Sequence, residues 1–175
     1  MSWAEIFERE GFRRDVAGEK DFSAALHAAD LMVETGMGLV VSGEFGVGKT
    51  TLAEIIARRL RPQPFKVRFS IQSQIETLSH ECQEYFCRDL NEMSIYFDDL
   101  GAETPVNEYG IRIETVADFI CEWHTLHTPG TRMIITTNLN TEGIDSRYGG
   151  RVLSRLKDLC IPLRLTGKDK RKWQM

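Results

Sequence analysis

The sequence predicts an α/β fold in which helices cover a parallel sheet. Short, β-rich apolar runs alternate with longer stretches of helical spacing, the pattern of strands joined by crossover helices. The length of 175 residues suits one domain that can bury a core without disulfide or metal staples. Apolar residues make up 42% of the chain and charged residues 27%, as expected for a globular protein.

The first 37 residues are expected to form a helical lead-in packed on the core. Ser2 and Glu5 have the spacing of a capping box and predict a helix through about Glu10. Apolar residues three or four apart predict a second helix, which Gly36 ends. They are Phe22, Leu26, Ala29 and Val33.

Residues 38–166 are expected to hold the sheet, followed by a basic tail at 167–175. The predicted strands are 39–41, 65–69, 95–97, 133–135 and 161–165. The predicted helices run from the glycine-rich turn to about residue 60, from 71 to 90, from 113 to 127, and from 140 to 159 with a break at Gly149–Gly150. Residues 100–109 carry Gly and Pro and are predicted to form a loop.

A phosphate-binding loop is the strongest functional motif. Residues 43–50 match the Walker A pattern between an apolar strand and a helix. Its glycines allow turns in which successive N–H groups surround an anion, which the helix N-terminus also attracts. Lys49 adds a positive charge for the β- and γ-phosphates, and the Thr50 hydroxyl can bind Mg²⁺. The predicted nucleotide-binding residues are Gly43, Glu44, Phe45, Gly46, Val47, Gly48, Lys49, Thr50 and Thr51.

Two carboxylates follow the apolar run Ile95–Phe97, as at the end of a Walker B strand. We expect Asp98 to complete the Mg²⁺ site with Thr50. Asp99 is then the base or the group that orients the attacking water. Asn138, after the strand at 133–135, could hold the same water by hydrogen bonding.

Two features leave alternatives open. Arg147, Arg151 and Arg155 recur at intervals of four, which is typical of a solvated basic face and also of a helix that carries an arginine finger. The aromatic residues before the sheet could anchor the N-terminal segment or stack on an adenine. They are Trp3, Phe7 and Phe12.

Three segments together resemble the DnaC/IstB-like branch of the AAA+ ATPases, the family of replicative helicase loaders and transposition helper ATPases. They are Phe97–Glu103, Ile135–Asn140 and Tyr148–Leu156. The resemblance implies a P-loop NTPase three-layer sandwich with strand order 5-1-4-3-2 and little or no helical lid. It also implies that Asn138 is the sensor 1 residue, Arg155 the arginine finger and Arg171 the sensor 2 arginine.

The same resemblance implies ATP and Mg²⁺ as cofactors and self-association through Arg155 into an ATP-dependent oligomer. A replicative helicase or a transposase would be the partner, with single-stranded DNA as a possible ligand. The net charge of −4 argues against coating DNA by bulk charge but leaves room for a local basic stripe. Asp99 is shorter than the Glu that relatives often carry, which favours a second function, a nucleotide-gated adaptor with little ATPase activity. A small-molecule kinase on the same scaffold is a third.

The expected location is the cytoplasm. The sequence begins without a signal-peptide pattern, and its longest apolar runs are far shorter than a membrane span. The four cysteines show neither a CxxC pair nor zinc-finger spacing. They are therefore predicted to be reduced and mostly buried rather than metal ligands.

Overall fold

The computed structural model of the protein describes residues 1–61, 63–68, 92–104, 106–108, 111–113 and 115–170. The described strands are β1 (Gly38–Gly43), β2 (Phe65–Arg68), β3 (Ile95–Leu100), β4 (Val106–Glu108), β5 (Ile111–Ile113), β6 (Met133–Thr137) and β7 (Cys160–Leu165). The described helices are α1 (Trp3–Glu10), α2 (Arg14–Ala17), α3 (Glu19–Thr35), α4 (Lys49–Ala57), α5 (Thr115–Leu126), α6 (Thr141–Tyr148) and α7 (Gly150–Leu159). The predicted helix at 71–90 and Arg171 lie outside the described residues.

A five-stranded parallel sheet forms the centre of the molecule, in the order β2-β3-β6-β1-β7. Counting only the five predicted strands, this is the order 5-1-4-3-2, so the prediction of the fold class is confirmed. The strand β1, which leads into the glycine-rich loop, lies between β6 and β7. Because all five strands run the same way, their carboxyl ends meet at one edge of the sheet.

The segment after β3 differs from its prediction. Residues 100–109 were predicted as a loop, but β4 pairs with β5 in a separate antiparallel hairpin. Ile113 therefore belongs to β5, and the following helix starts at Thr115. Three-residue strands are too short to show a period of two in the sequence.

Helices cover both faces of the sheet and create two apolar layers. On one face α1, α3 and α4 pack against side chains such as Tyr96 and Ile134. On the other face α5, α6 and α7 pack against Phe97 and Ile135. Successive residues of β3 and β6 thus point to opposite layers, as the pleat of a strand requires. The result is a three-layer sandwich with α4 and α7 on opposite faces.

The N-terminal segment is anchored by aromatic packing. The predicted capping box at Ser2 and Glu5 begins α1, and Gly36 ends α3. Phe7 and Phe22 are completely buried, and the rings of Phe12 and Phe22 stack with their centroids 6.2 Å apart. Phe7 and Phe12 therefore anchor the N-terminal segment to the core. Val33 is the exception on the predicted face of α3, since it is 62% exposed.

The cysteines add no further candidate site among the described residues. Cys121 and Cys160 are free, and burial raises the pKa of the Cys160 thiol. No group of three metal-binding side chains occurs in the described ranges. Within those ranges, no helix is both long and apolar enough to cross a bilayer.

Candidate functional site

The glycine-rich loop joins the carboxyl end of β1 to the N-terminus of α4. Gly46 and Gly48 have φ values of +73° and +102°, a backbone conformation that side chains disfavour. The helix begins at Lys49, so its first N–H groups face the loop. This geometry is that of an anion site at a helix N-terminus.

Lys49 connects the loop to the neighbouring strand end. Its ammonium donates to the carbonyls of Gly43 at 2.9 Å and Glu44 at 2.7 Å. It also donates to Oδ1 of Asn138 at 2.7 Å. Lys49 is only 6% exposed. The predicted lysine and the predicted sensor asparagine are therefore in direct contact.

Asp98 lies at the centre of a group of hydroxyls. Its Oδ1 atom accepts hydrogen bonds from Thr50 Oγ1 at 3.0 Å, Thr136 Oγ1 at 2.8 Å and the Tyr96 hydroxyl at 3.1 Å. Burial and the charge of Asp98 raise the pKa of Tyr96, so the phenol stays a donor. The predicted metal pair of Thr50 and Asp98 is thus in contact. Sequence reasoning missed Thr136 and Tyr96, because a strand Thr or Tyr has no motif of its own.

A bulge in β3 brings the second carboxylate to the same place. Phe97 pairs with Ile135 and Leu100 with Thr137, so Asp98 and Asp99 together face Thr136 alone. Asp99 has φ +63°, and its N–H donates to Thr136 Oγ1 at 2.9 Å. The prediction that the strand ends at the two acids was wrong, since β3 continues to Leu100.

Asp99 has an altered proton affinity. Burial raises its pKa most, the nearby charge of Asp98 raises it further, and the charge of Lys49 lowers it. A carboxylate with a raised pKa is a better proton acceptor than a free aspartate.

These groups open into a cavity of about 560 Å³, within the size range of small-molecule and cofactor sites. Lys49, Thr50, Thr51, Asp99 and Asn138 line one side. The connection from α1 to α2, with Phe12 and Arg13, and Val16 of α2 line the other. The N-terminal lead-in therefore forms a wall of the site, although the sequence gives its arginine and valine no motif.

The tail that follows β7 crosses the loop. We call residues Thr166–Lys170 the C-terminal strap. The Asp21 carboxylate, 3% exposed, accepts from the N–H groups of Thr166 and Gly167 and from the Thr166 hydroxyl. Lys170 donates from its backbone N to Gly46 O at 3.1 Å and from Nζ to Val47 O at 2.7 Å. The lysine was predicted only as part of a basic tail.

The arginines of α6 and α7 lie away from this cavity. The buried carboxylate of Glu103 lies 3.2 Å from the Arg147 guanidinium and also accepts a hydrogen bond from the Tyr148 hydroxyl. Arg151 is exposed. The side chain of Arg155 is 35% exposed and lies 3.9 Å from Asp158. Because α7 covers the sheet face opposite α4, the structure does not bring Arg155 to Lys49 of its own chain.

Comparisons with known proteins agree with the fold. The sequence matches the family nSTAND3, novel STAND NTPase 3, over residues 23–172. No curated protein sequence matches the chain.

Solved structures with similar folds have low sequence identity. One is AMPPCP-bound DnaA from Aquifex aeolicus, with a TM-score of 0.60, 16% identity, and coverage of 83% of this chain and 47% of that one. Domain III of the Thermotoga maritima replication initiation protein DnaA has a TM-score of 0.56, 19% identity, and coverage of 83% and 62%. NtrX from Brucella abortus in complex with ATP has a TM-score of 0.54, 14% identity, and coverage of 84% and 37%. The chain thus spans less than two thirds of each structure, and the likeness shows a shared fold.

Proposed function

Since the chain belongs to the novel STAND NTPase 3 family and has the P-loop α/β fold of AAA+ proteins, we propose that it binds ATP with Mg²⁺ and hydrolyses it. The observation that carries this proposal is the convergence of Lys49, Thr50 and Asp98 at the glycine-rich loop. An ammonium, a hydroxyl and a carboxylate at a helix N-terminus provide the groups that a triphosphate and a divalent cation need.

The donor set fits a hard cation. Thr50 Oγ1 and the Asp98 carboxylate lie 3.0 Å apart and offer only oxygen, the ligand type that Mg²⁺ prefers. Thr136 and Tyr96 fix the orientation of the carboxylate by donating to the same oxygen. When bound, Mg²⁺ would neutralise charge on the β- and γ-phosphates. The residues that would hold it are Thr50 and Asp98.

The remaining groups suit the attack of water on the γ-phosphate. Lys49 would bind the β- and γ-phosphates, and Asn138, already bonded to its ammonium, would fix the attacking water. Asp99 would orient that water and accept its proton as the bond from phosphorus to the water oxygen forms. The bond to the bridging oxygen then breaks and leaves ADP and phosphate. The raised pKa of Asp99 supports this role.

Replacing Lys49 with Met tests nucleotide binding. Removing the charge should weaken Mg²⁺-ATP affinity about 100-fold, since charge-assisted hydrogen bonds to phosphate are among the strongest. Titration of a fluorescent ATP analogue measures the affinity, and circular dichroism verifies the fold. Lys20→Met, an exposed lysine of α3, is the control and should bind as the parent does. A parent protein that does not bind the analogue, or a folded Lys49→Met that binds it equally, refutes the proposal.

A nucleotide-gated adaptor is the second candidate. It is favoured by Asp99, whose side chain is one methylene group shorter than that of glutamate. In this role the protein holds ATP, hydrolyses it rarely, and recruits a partner in the ATP-bound state. Single-turnover hydrolysis separates the two candidates: tight ATP binding with a negligible rate selects the adaptor. No specific observation favours the small-molecule kinase.

We further propose that the nucleotide cycle loads or remodels a helicase or transposase on DNA, as the resemblance to the DnaC/IstB branch implies. The support is the order of the three motifs along the chain. The family match and the solved structures support an NTPase of AAA+ or STAND type without favouring that branch. Binding of labelled single-stranded DNA, with and without a non-hydrolysable ATP analogue, tests the DNA part of the proposal.

A further inference from the structure

The C-terminal strap holds a second lysine at the nucleotide cavity. Lys170 lines the cavity and is half-buried. Its Nζ atom lies 5.6 Å from the centre of the Phe12 ring and 3.6 Å from where a Cβ on Gly48 would be. The backbone and side chain of Lys170 both bond to the glycine-rich loop, at Gly46 and Val47. Its position is therefore fixed relative to the loop that would bind phosphate.

The two lysines approach the loop from different sides. Lys49 contacts Asn138 and the carbonyls at the start of the loop. Lys170 contacts the Val47 carbonyl and the ring of Phe12, beside the α1–α2 connection. The P-loop lysine, here Lys49, binds the β- and γ-phosphates. The other end of the nucleotide, with the base, the sugar and the first phosphate, would therefore lie on the side of the cavity that Phe12 lines.

The Lys170 ammonium has donors left for a ligand. An ammonium group has three N–H donors, and among the described residues Lys170 Nζ makes one hydrogen bond, to Val47 O. The ring of Phe12 attracts the ammonium but accepts hydrogen bonds only weakly, so it leaves these N–H donors available. An anion entering the cavity could therefore be bound without breaking the contact to the loop.

We propose that Lys170 binds the base-proximal phosphate of the nucleotide and that Asp21, which anchors the strap, positions it. This inference rests on the proposed function, because it names a further ligand of the same nucleotide. Asp21 accepts hydrogen bonds from three N–H and O–H donors of Thr166 and Gly167, four and three residues before the lysine. Partial burial lowers the pKa of Lys170, and the charge of Asp21 raises it, so the same carboxylate supports the charge of the ammonium.

The close packing of the strap supports a built site. A Cβ on Gly46 would lie 1.8 Å from Asp169 Oδ1, so the strap lies directly against the loop backbone. A tail that merely ended in solvent would have neither this contact nor the buried carboxylate of Asp21 beneath it. The strap and the α1–α2 connection together complete the side of the cavity opposite Asn138.

Lys170→Met tests the phosphate contact by the series ATP, ADP, AMP and adenosine, each measured by competition with a fluorescent ADP analogue. Loss of one charge-assisted hydrogen bond should weaken all three phosphorylated ligands about tenfold, and adenosine should bind unchanged. Lys170→Arg should retain most of the affinity. Lys168→Met, an exposed lysine of the same strap, is the matched control and should behave as the parent.

Three results would overturn the inference while the parent still binds ATP: unchanged affinities, a loss for ATP alone, or an equal loss for adenosine. The second would place Lys170 at the γ-phosphate, and the third would reduce it to packing on Phe12. Failure of the parent to bind ATP would instead refute the proposed function.

Asp21→Asn tests the positioning role. The amide has one acceptor oxygen where the carboxylate has two, so the strap should loosen and the three phosphorylated ligands should again bind more weakly. Combined with Lys170→Met, it should add little, because both changes remove the same contact. Trypsin cleavage within the strap should become faster in Asp21→Asn and slow again when ATP is added. Additive losses, or unchanged cleavage, would show that Asp21 does not act through Lys170.

Discussion

At the scale of single residues, the backbone conformation at position 99 explains why the residue there is aspartate rather than glutamate. Its φ of +63° lies in the left-handed region, which Asn and Asp tolerate far better than longer side chains do. Glu is often found here in the family that the motifs resemble, but Glu would be strained at this bulge. An aspartate keeps a carboxylate at the site with less backbone strain.

Asp99→Asn should therefore stabilise the fold while abolishing hydrolysis. The amide removes repulsion from Asp98 and suits the left-handed backbone, so we expect a gain of about 1 kcal/mol at pH 7. Asp99→Glu should lose stability instead. Thermal unfolding measures both variants, and single-turnover hydrolysis measures activity.

The pH dependence provides the control for Asp99→Asn. A raised pKa means that the folded state binds the proton more tightly than the unfolded state, so the ionised carboxylate destabilises the parent above that pKa. As pH falls through the raised pKa, the parent regains this stability, and the electrostatic advantage of Asp99→Asn should shrink. An advantage that grows on acidification would contradict this account of Asp99.

At the scale of elements, the sequence predicts those parts that carry their own periodicity. The capping box of α1, the core strands and the break at Gly149–Gly150 were all visible in the sequence. The bulge in β3 was not, because its two acids follow an apolar run as if they ended the strand. The packing of the strap was also hidden, since its bonds join residues more than 100 positions apart, from Lys170 to the glycine-rich loop.

Gly46→Ala tests the contact between loop and strap, with Gly36→Ala as a matched control. Both glycines have nearly the same φ, +73° and +74°, but a Cβ on Gly36 would meet nothing within 4 Å. We expect each alanine to cost about 1 kcal/mol in backbone strain. Gly46→Ala should lose more, because its Cβ displaces Asp169. Denaturant unfolding measures the difference.

The double variant Gly46→Ala with Asp169→Ala isolates the clash. The double variant should lose about as much unfolding free energy as Asp169→Ala and Gly36→Ala lose together. Without the Asp169 carboxylate, only the backbone strain of alanine at position 46 would be added. If Gly46→Ala and Gly36→Ala were equally destabilising, the strap would not press on the loop as the structure indicates.

At the scale of the whole molecule, the parallel order of the sheet determines where each helix end lies. The helix α7 passes directly into β7, whose first residue, Cys160, pairs with Gly38 at the start of β1. The N-terminal end of α7 therefore lies toward the edge where the glycine-rich loop emerges. This topology could be predicted from motif order, whereas the exposure of each arginine could not, since it depends on which side of α7 meets α5.

The self-association through Arg155 that the resemblance to the DnaC/IstB branch implies can be tested on the assembly itself. The Arg155 guanidinium lies 3.9 Å from Asp158 of its own helix, so acting in trans would move it from this partner to a neighbouring molecule's phosphate. If it acts in trans, ATP hydrolysis per molecule should rise with protein concentration, and Arg155→Ala should lose most of the rate while still binding ATP. Arginine fingers contribute about 1000-fold or more in comparable ATPases and GTPases.

Asp158→Asn is the informative companion to Arg155→Ala, because it releases the arginine without removing it. We expect this variant to hydrolyse ATP at least as fast as the parent and to assemble at lower concentration. Light scattering after size exclusion, with and without a non-hydrolysable ATP analogue, reports the assembly. If the parent remains a monomer with the analogue and Arg155→Ala hydrolyses ATP normally, Arg155 is not a trans-acting residue. Exposed Arg151, one turn closer to the loop edge, would be the next residue to replace.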